Sequence, residues 1–378
     1  MTTLRTACIS ENQAEANTSS RRNFLAGFAT LGAGLLVSGS RALAQSEANP
    51  RRIDFHHHFQ TPGVLDLAKS RGKFENPWSV SRDLEDMDKH GTETALLSAM
   101  GNPLSLDFGD IELSRRAVRI SNEHAAKLRA DHPRRFGSFA ALPLWYPDND
   151  GCLREVEYAL DTLKADGVYM YTSYGERYVG DAYWMPLYEE LNRRRAIVFV
   201  HPHAGTCCQD LSFDGAVNAT TVEFSGDTTR VIARVLFSGV SKKFPNITWV
   251  FSHGGGTMPF VIERFLGYGK EGLSAEIVPG IVTKGQPGRE MPNVRTGNDV
   301  LGELRKFYYD TAQATNPVAM GALRQVVPVS QIVYGTDYWY RTTEEHDKGL
   351  RTNKVFNAQE LQAINRGNAE RILPRYRA

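Results

Sequence analysis

The sequence has little cysteine and no pattern typical of a disulfide framework. It contains four cysteines, of which Cys8 lies near the N-terminus and only Cys152, Cys207 and Cys208 follow it. Disulfide-rich folds usually carry an even number of cysteines at regular spacings, whereas this set is odd and includes one adjacent pair. We therefore interpret Cys207 and Cys208 as loop residues, and the alternative is that they are soft metal ligands.

The chain also lacks an excess of charge of either sign. Its 44 lysines and arginines nearly balance its 43 aspartates and glutamates, so the formal net charge is +1. Binding to nucleic acid or to an anionic membrane surface is usually accompanied by strongly basic stretches, and none is present. We therefore expect no nucleic-acid partner, and we expect the substrate to be a small molecule.

The N-terminal segment lacks the uninterrupted apolar run of a membrane anchor. The sequence Ser-Arg-Arg-Asn-Phe-Leu at residues 20–25 precedes a weakly apolar stretch, which is broken by Gly and Ser and ends in Ala-Leu-Ala at residues 42–44. A twin-arginine export signal has this order of features. We therefore predict a signal peptide over residues 1–44, a linker over residues 45–52, and a periplasmic protein with no stable membrane insertion after cleavage. An uncleaved membrane anchor is the alternative.

A dinucleotide-binding G-x-G-x-x-G motif after a strand is missing too, which argues against a Rossmann-like sheet. Instead, eight short apolar segments alternate with amphipathic stretches, and several of the segments show no polar alternation, as is typical of parallel strands buried on both faces. This order predicts an α/β fold, a single (β/α)8 TIM barrel over residues 53–378, with long loops at residues 205–226 and 267–300. The predicted strands are residues 53–58, 93–100, 136–142, 167–171, 196–201, 247–253, 307–310 and 332–337.

Histidine and aspartate recur at the C-terminal ends of these predicted strands, where barrel enzymes build their active sites. His56 and His58 are two residues apart on the first strand, so both side chains point the same way and the histidine between them points outward. The fifth predicted strand ends at His201, the sixth at His253 and the eighth at Asp337. Nitrogen and oxygen donors of this kind suit Zn²⁺ or Mn²⁺ with a position left open for water or substrate.

The ordered motifs H-x-H, H-P, S-H-G-G and G-T-D resemble the amidohydrolase superfamily. The chain is similar to the branch that holds aminocarboxymuconate semialdehyde decarboxylase and the resorcylate and methylsalicylate decarboxylases. That similarity extends to Met-Asp-Lys-His-Gly at residues 87–91, Phe-Tyr-Tyr-Asp-Thr-Ala at residues 307–312 and Gly-Asn-Ala at residues 367–369. The resemblance implies His253 as the catalytic histidine. It also implies one divalent metal ion, Zn²⁺ first and Mn²⁺ as the alternative, bound by His56, His58, His201 and Asp337.

The fourth predicted strand lacks a residue that many hydrolytic members of the superfamily carry. Those members often hold two metal ions bridged by a carboxylated lysine on this strand. Here residues 167–171 read Gly-Val-Tyr-Met-Tyr, without a lysine. The resemblance therefore implies a single metal ion, which also fits the decarboxylase branch.

The resulting hypothesis is metal-dependent, non-oxidative decarboxylation of a hydroxylated aromatic or related unsaturated carboxylic acid. In that reaction Asp337 would carry the proton, and His253 would polarise the substrate or activate water. The alternative is hydrolysis of a lactone, amide or other C–O or C–N bond, in which Asp337 would take a proton from water and His253 would stabilise the oxyanion. A metal-loaded binding protein is disfavoured, because every expected ligand and the catalytic histidine are present.

Three residues are candidates for contact with the substrate. Arg264 follows His253 by eleven residues, and in the resembling decarboxylases an arginine at this spacing binds a substrate carboxylate, sometimes across a subunit boundary. The alternative is a helix-surface arginine paired with Glu263 or another neighbour. Trp78 and His203 are the other candidates, and a homodimer is expected from the resemblance alone. Further aromatic residues favour a planar substrate: Tyr169, Tyr171, Trp339 and Tyr340. Three histidines are expected at the surface: His90, His124 and His346.

Overall fold

Eight parallel strands form the centre of the computed structural model, which describes residues 49–68, 78–99, 110–145, 148–203, 217–271 and 299–377. Each strand pairs with the next one along the chain, so the order in the sheet is β1 to β8. The strands are β1 (Arg52–Phe59), β2 (Thr92–Ala99), β3 (Phe136–Ala140), β4 (Gly167–Tyr171), β5 (Ile197–His201), β6 (Thr248–Phe251), β7 (Tyr308–Asp310) and β8 (Ile332–Val333). A short antiparallel hairpin, Ser173–Tyr174 with Arg177–Tyr178, follows β4.

Backbone hydrogen bonds between β1 and the residues at and after β8 close the sheet into a barrel. The N–H of Phe55 donates to the carbonyl of Tyr334, and the N–H of Asp337 donates to the carbonyl of His56, both at 2.9 Å. The carboxylate of Asp54 reinforces this seam, because it accepts hydrogen bonds from the backbone N–H groups of His56 and Thr336 at 3.0 and 3.1 Å. The predicted (β/α)8 barrel is confirmed.

Helices surround the barrel, and several begin at a residue suited to that place. Asp110 accepts a hydrogen bond from the N–H of Leu113 at the start of the helix Ile111–Asp131, and Asn357 forms a reciprocal capping box with Glu360 at the start of the helix Ala358–Gln362. The α-helices are α1 (Pro62–Ala68), α2 (Val80–His90), α3 (Ile111–Asp131), α4 (Asn149–Glu157), α5 (Met185–Arg193), α6 (Ala219–Phe237), α7 (Val240–Lys243), α8 (Ile262–Glu271), α9 (Val300–Leu304), α10 (Pro317–Val326), α11 (Thr343–Thr352), α12 (Ala358–Gln362) and α13 (Asn368–Ile372). Shorter 3-10 or π-helical turns are Tyr158–Thr162, Ala182–Trp184, His253–Gly255, Met258–Val261, Val329–Gln331, Ala363–Gly367 and Pro374–Tyr376.

The strands are buried on both faces, as their continuous apolar sequences predict. Every residue of β4 and β5 is buried. Aromatic side chains contribute much of the packing near the C-terminal ends of the strands: the Phe199 ring lies 5.4 Å from Phe139 and 5.2 Å from His56, measured between ring centroids. The histidines of β1 therefore pack against apolar side chains, and their ring nitrogens need hydrogen-bond partners within the protein.

Several predicted boundaries differ from the structure. The sixth predicted strand, residues 247–253, ends at Phe251, and the eighth, residues 332–337, ends at Val333. In both cases the chain leaves the extended conformation before the functional residue, since His253 has a φ of 54° and Asp337 a φ of 61°. The predicted linker ends one residue late, because Arg52 already belongs to β1.

The first predicted long loop is also shorter than expected. Helix α6 starts at Ala219, where the side chain of Asn218 accepts a hydrogen bond from the N–H of Thr220. Residues 219–226 are therefore helical rather than part of a loop. Other expectations lie outside the described residues: the signal peptide, the roles of Cys207 and Cys208, and most of the second long loop. Within the ranges that the structure describes, no helix combines the length and the apolar character needed to cross a bilayer.

Candidate metal centre

Four buried side chains of metal-ligand type meet at the C-terminal end of the barrel. His56 and His58 come from β1, His201 is the last residue of β5, and Asp337 follows β8. One donor atom from each residue lies within 4.8 Å of the others. The structure thus brings together the four residues that the sequence predicts as ligands.

Each of the three histidines has its Nδ1 atom engaged away from the centre of this cluster. A carboxylate or carbonyl oxygen can only accept a hydrogen bond from such a nitrogen, and the Ser98 hydroxyl, which donates its own proton to the carbonyl of His57 at 3.3 Å, accepts in the same way. A lone pair is thus left on each Nε2 for a metal. The local fold therefore fixes the orientation of each ring. The contacts are His56 Nδ1 with Asp310 Oδ2 at 2.7 Å, His58 Nδ1 with Ser98 Oγ at 3.1 Å, and His201 Nδ1 with the carbonyl of Pro202 at 2.8 Å.

The atoms that face the centre of the cluster have no adequate partners among the described residues. The Nε2 atom of His201 and the Oδ1 atom of Asp337 are buried without a hydrogen bond to any of these residues. The Nε2 atoms of His56 and His58 lie 3.2 and 3.0 Å from Oδ1 of Asp337. Lone pairs that converge in a dry interior are costly unless a cation or a proton lies between them. Three imidazole nitrogens and one carboxylate oxygen fit a single divalent metal ion.

The charges of the cluster agree with this assignment. Burial lowers the pKa of His58, and burial together with the neighbouring histidines lowers the pKa of His201 well below its usual value, so both rings are neutral. Burial also disfavours the charged form of His56, but Asp310 and Asp337 outweigh it and raise the pKa of His56 to about 10. Two carboxylates around His56 thus demand a positive charge, which a metal ion supplies when it binds the neutral imidazole.

His253 lies beside the four ligands rather than among them. Its ring centroid is 5.0 Å from that of His56, and its Nε2 atom is 3.5 Å from Oδ2 of Asp337. Its backbone N–H donates to Oδ1 of Asp310 at 2.8 Å. The residue is close enough to the carboxylate to exchange a proton with it, and a small part of its side chain reaches the surface.

The glycines that follow His253 are required by the turn that presents it. Gly255 and Gly256 have φ values of 78° and 65°. A Cβ atom at Gly256 would lie 2.2 Å from the carbonyl oxygen of Ser225, and one at Gly255 would lie 2.9 Å from the Tyr309 ring. Gly255 and Gly256 thus permit a close approach between this turn, α6 and β7.

The middle histidine of β1 points away from the metal centre, as predicted, and toward α2. Its Nδ1 and Nε2 atoms lie 3.0 Å from Asp54 and 2.8 Å from Asp83. Burial opposes a charge on His57, but Asp83 and Asp54 outweigh it and raise its pKa to about 10. His57 is also stacked on Tyr338, with ring centroids 4.7 Å apart. The opposite face of β1 is therefore anchored by a buried ion pair network.

Sequence reasoning missed the roles of three residues in or near the site. Asp310 was recognised only as a strand end, yet its carboxylate contacts both His56 and the backbone of His253. An aspartate at the end of a predicted strand, as at Asp337, was a signal for it. Gln313 donates a hydrogen bond from its side-chain amide to Oδ2 of Asp337, and no feature of the sequence indicates this. The expectation that His346 lies at the surface was wrong, because only 2% of it is exposed.

The candidate substrate contacts are placed in different surroundings. Trp78 is buried and donates its indole N–H to Asp83 at 2.9 Å, so its role in substrate binding stays a prediction. Arg264 is exposed on α8 and, within the described residues, forms no ion pair with Glu263. His203 is half-buried and lies among aromatic rings next to His201, 5.3 Å from both Trp145 and Tyr171.

Aromatic side chains border the metal centre on two sides. Tyr169 and Tyr171 have ring centroids 6.1 and 6.4 Å from that of His201. Tyr340 lies 5.9 Å from His58 and is stacked on Trp339. We name as the aromatic wall the residues Trp145, Tyr169, Tyr171, His203 and Tyr340. This wall gives the site flat apolar surfaces beside a cluster of metal ligands.

Comparison with known proteins gives consistent results. The family model described as Amidohydrolase matches residues 53–375. Decarboxylase yanB of Aspergillus niger is 32% identical over 341 residues, which cover 86% of this chain and 88% of that protein. The 6-methylsalicylic acid decarboxylase of Penicillium expansum is 29% identical over 338 residues, or 86% of this chain and 96% of that protein.

Solved structures show the same fold. A dihydroxybenzoic acid decarboxylase from a Polaromonas species, with bound manganese and the inhibitor 2-nitroresorcinol, has a TM-score of 0.69 and 20% sequence identity. The match covers 86% of this chain and 98% of that chain. At this level of identity, the likeness establishes the barrel architecture.

Replacing Asp310 with asparagine tests how the ligands are oriented. Asparagine can accept from Nδ1 of His56 or from the N–H of His253, but its NH₂ group would face a donor on the other side. We expect Asp310→Asn to weaken binding of Zn²⁺ or Mn²⁺ by about 10- to 100-fold, measured by competition with a chelating dye. The control is Asp88→Asn, at an exposed aspartate paired with Arg135. Unchanged affinity in Asp310→Asn would contradict the role of Asp310.

Proposed function

The chain belongs to the amidohydrolase family, and within it we propose that it decarboxylates a hydroxylated aromatic or related unsaturated carboxylic acid without oxidation. The observation that carries this proposal is a buried one-metal donor set bordered by the aromatic wall. The absence of a lysine on β4 and the relatives that are named decarboxylases support the same reaction.

We propose Zn²⁺ as the resident metal, with Mn²⁺ as the alternative, because three imidazoles and one carboxylate suit either ion. The manganese bound to the Polaromonas decarboxylase keeps the alternative open. A divalent metal held by His56, His58, His201 and Asp337 would supply Lewis-acid chemistry at this site. Elemental analysis of the purified protein identifies the ion.

Asp337 and His253 carry out the proton transfer. In the reaction, the carbon–carbon bond to the carboxylate breaks, CO₂ leaves, and the ring carbon gains a proton. Oδ2 of Asp337 and Nε2 of His253, 3.5 Å apart, are the atoms that hold and transfer that proton. The neighbouring histidines outweigh burial and keep the pKa of Asp337 well below its usual value, so this carboxylate is ionised before the proton arrives.

The aromatic wall orients a planar substrate. Tyr171 and His203 lie on the side of β4 and β5, while Tyr340 lies on the side of His58. Flat rings stack or meet edge to face with such side chains, and each contact contributes about 0.5–1.5 kcal/mol beyond the area that it buries. Arg264 is exposed on α8, and we propose that it binds the substrate carboxylate, either in its own chain or across a subunit boundary. That contact and the homodimer stay predictions.

An assay of the metal-loaded protein with hydroxybenzoates tests the reaction. We expect release of CO₂ from salicylate, 6-methylsalicylate or 2,6-dihydroxybenzoate, because the metal and the wall together accept a carboxylate beside a hydroxyl group. Removal of the metal with a chelator should abolish the release, and Zn²⁺ or Mn²⁺ should restore it. Hydrolysis of lactones or amides without CO₂ from any acid would replace decarboxylation with the hydrolase alternative, and bound metal without any turnover would indicate a binding protein.

Substitution of His253 separates catalysis from metal binding. We expect His253→Asn to bind the metal with unchanged affinity, because His253 lies outside the ligand set, and to lose about 10²- to 10⁴-fold in kcat. The matched control is His132→Asn, which follows α3 and precedes β3 at the opposite end of the barrel. Full activity of His253→Asn would remove this residue from the mechanism.

We also propose that the protein is exported to the periplasm through the twin-arginine pathway and is cleaved after Ala44. The support is the sequence motif around Arg21 and Arg22. Replacing both arginines with lysine should keep the precursor in the cytoplasm, as measured by cell fractionation, whereas Arg5→Lys should be exported normally. Mass spectrometry of the exported protein should find Gln45 at its N-terminus. Export of the double variant, or an uncleaved N-terminus, would contradict this proposal.

A further inference from the structure

The two carboxylate oxygens of Asp337 have different neighbours. Oδ1 faces the Nε2 atoms of His56 and His58, at 3.2 and 3.0 Å. Oδ2 lies 3.5 Å from His253 and accepts a hydrogen bond from the side-chain amide of Gln313. The terminal torsion of an aspartate is broad, so the side chain alone does not select the plane in which its two equivalent carboxylate oxygens lie. Its neighbours must make that selection.

Gln313 is held in place by its own contacts, so it can select the orientation of the Asp337 carboxylate. Its backbone has a φ of 50°, which is uncommon for a residue other than glycine and persists where surrounding contacts enforce it. Its N–H donates to Nε2 of His346 at 2.8 Å, and its side-chain oxygen lies 3.4 Å from Nε of Arg341. Both ends of the glutamine are therefore tied to the segment around α11.

His346 provides a fixed acceptor for the backbone of Gln313. Its Nδ1 atom lies 3.1 Å from the carbonyl of Thr342, which can only accept, so the proton is on Nδ1 and the lone pair on Nε2. The residue is buried, and this burial lowers its pKa and keeps the ring neutral. The neutral tautomer is the one that can accept from Gln313.

The turn after β7 thus reaches two of the four ligands. Asp310 accepts from Nδ1 of His56, and Gln313 donates to Asp337. The turn between them is closed by hydrogen bonds from Ala312 to Asp310 and from Ala314 to Thr311. One short segment therefore orients a ligand from the start of the barrel and a ligand from its end.

We propose that Gln313 is a positioning residue for the metal centre: its amide holds Oδ2 of Asp337 and leaves Oδ1, beside His56 and His58, for the metal. The inference rests on the metal-dependent function proposed above. An amide suits the task because it donates a hydrogen bond without competing for the metal as an anion and without titrating. Partners of this kind commonly change metal affinity by about 10- to 100-fold when they are removed.

Gln313→Met removes the donor and keeps the length of the side chain. We expect its affinity for Zn²⁺, measured by competition with a chelating dye, to fall by about 10- to 100-fold. The visible absorption spectrum of the Co²⁺-loaded protein should also change, because the carboxylate is no longer held in one orientation. The thermal midpoint of the metal-free protein should match that of the control. The control is Gln331→Met. Gln331 directly precedes β8, and its side-chain amide donates a hydrogen bond to the carbonyl of Lys306.

A second variant tests the same chain of contacts from its other end. His346→Phe removes the acceptor of the Gln313 N–H, and we expect weaker Zn²⁺ binding in the same direction. In the Gln313→Met background the additional loss should be small, because both changes act through one contact. If the fold-losses in Zn²⁺ affinity of the two single variants simply multiply in the double variant, the proposed route is wrong. It is also wrong if Gln313→Met binds Zn²⁺ as tightly as the parent protein or the Gln331→Met control. Metal affinity is independent of the substrate, so failure of the decarboxylase assay would leave this result intact.

Discussion

The seam between the first strand and the residues after the last strand is the contact on which the remaining structure depends. The N–H of Asp337 donates to the carbonyl of His56, and Asp54 accepts from the backbone of both sides of the seam. A buried carboxylate with several hydrogen bonds is stable only when the whole network forms, because each unpaired member is costly. Closing the barrel and assembling the metal ligands are therefore one event, although the residues involved are separated by most of the chain.

Contacts outside the metal centre orient its three histidine ligands. Asp310, Ser98 and the carbonyl of Pro202 each engage the outer nitrogen of one histidine. Toward the centre, the Nε2 atom of His201 and the Oδ1 atom of Asp337 have no hydrogen-bond partner among the described residues. Ligands oriented in this way define the position at which a cation binds. The aromatic wall places flat apolar rings beside that position.

Much of this arrangement could be predicted from the sequence because strand ends in a barrel converge. His201 and Asp337 were recognised from that rule and from the family resemblance, without knowledge of their contacts. The rule fails for residues whose role depends on partners distant in sequence: Gln313 and His346 carry no local signal, since their importance arises from contacts with Asp337 and with each other. The strand ends at β6 and β8 were placed too late because positive φ angles at His253 and Asp337 cannot be inferred from hydrophobic pattern. Tertiary contacts alone stabilise those conformations.

The three consecutive histidines of β1 have two different roles on the two faces of the strand. The outer pair faces the metal centre, while His57 is enclosed between Asp54 and the α2 residue Asp83. Loss of the imidazole would leave the buried Asp83 with Trp78 as its partner, and loss of Asp83 would leave the His57 ring with Asp54. Either change breaks a buried ion pair, at a cost of about 3–5 kcal/mol. Because residue 57 is bonded to a ligand on either side, a substitution in this outer helix would alter the geometry of the catalytic face.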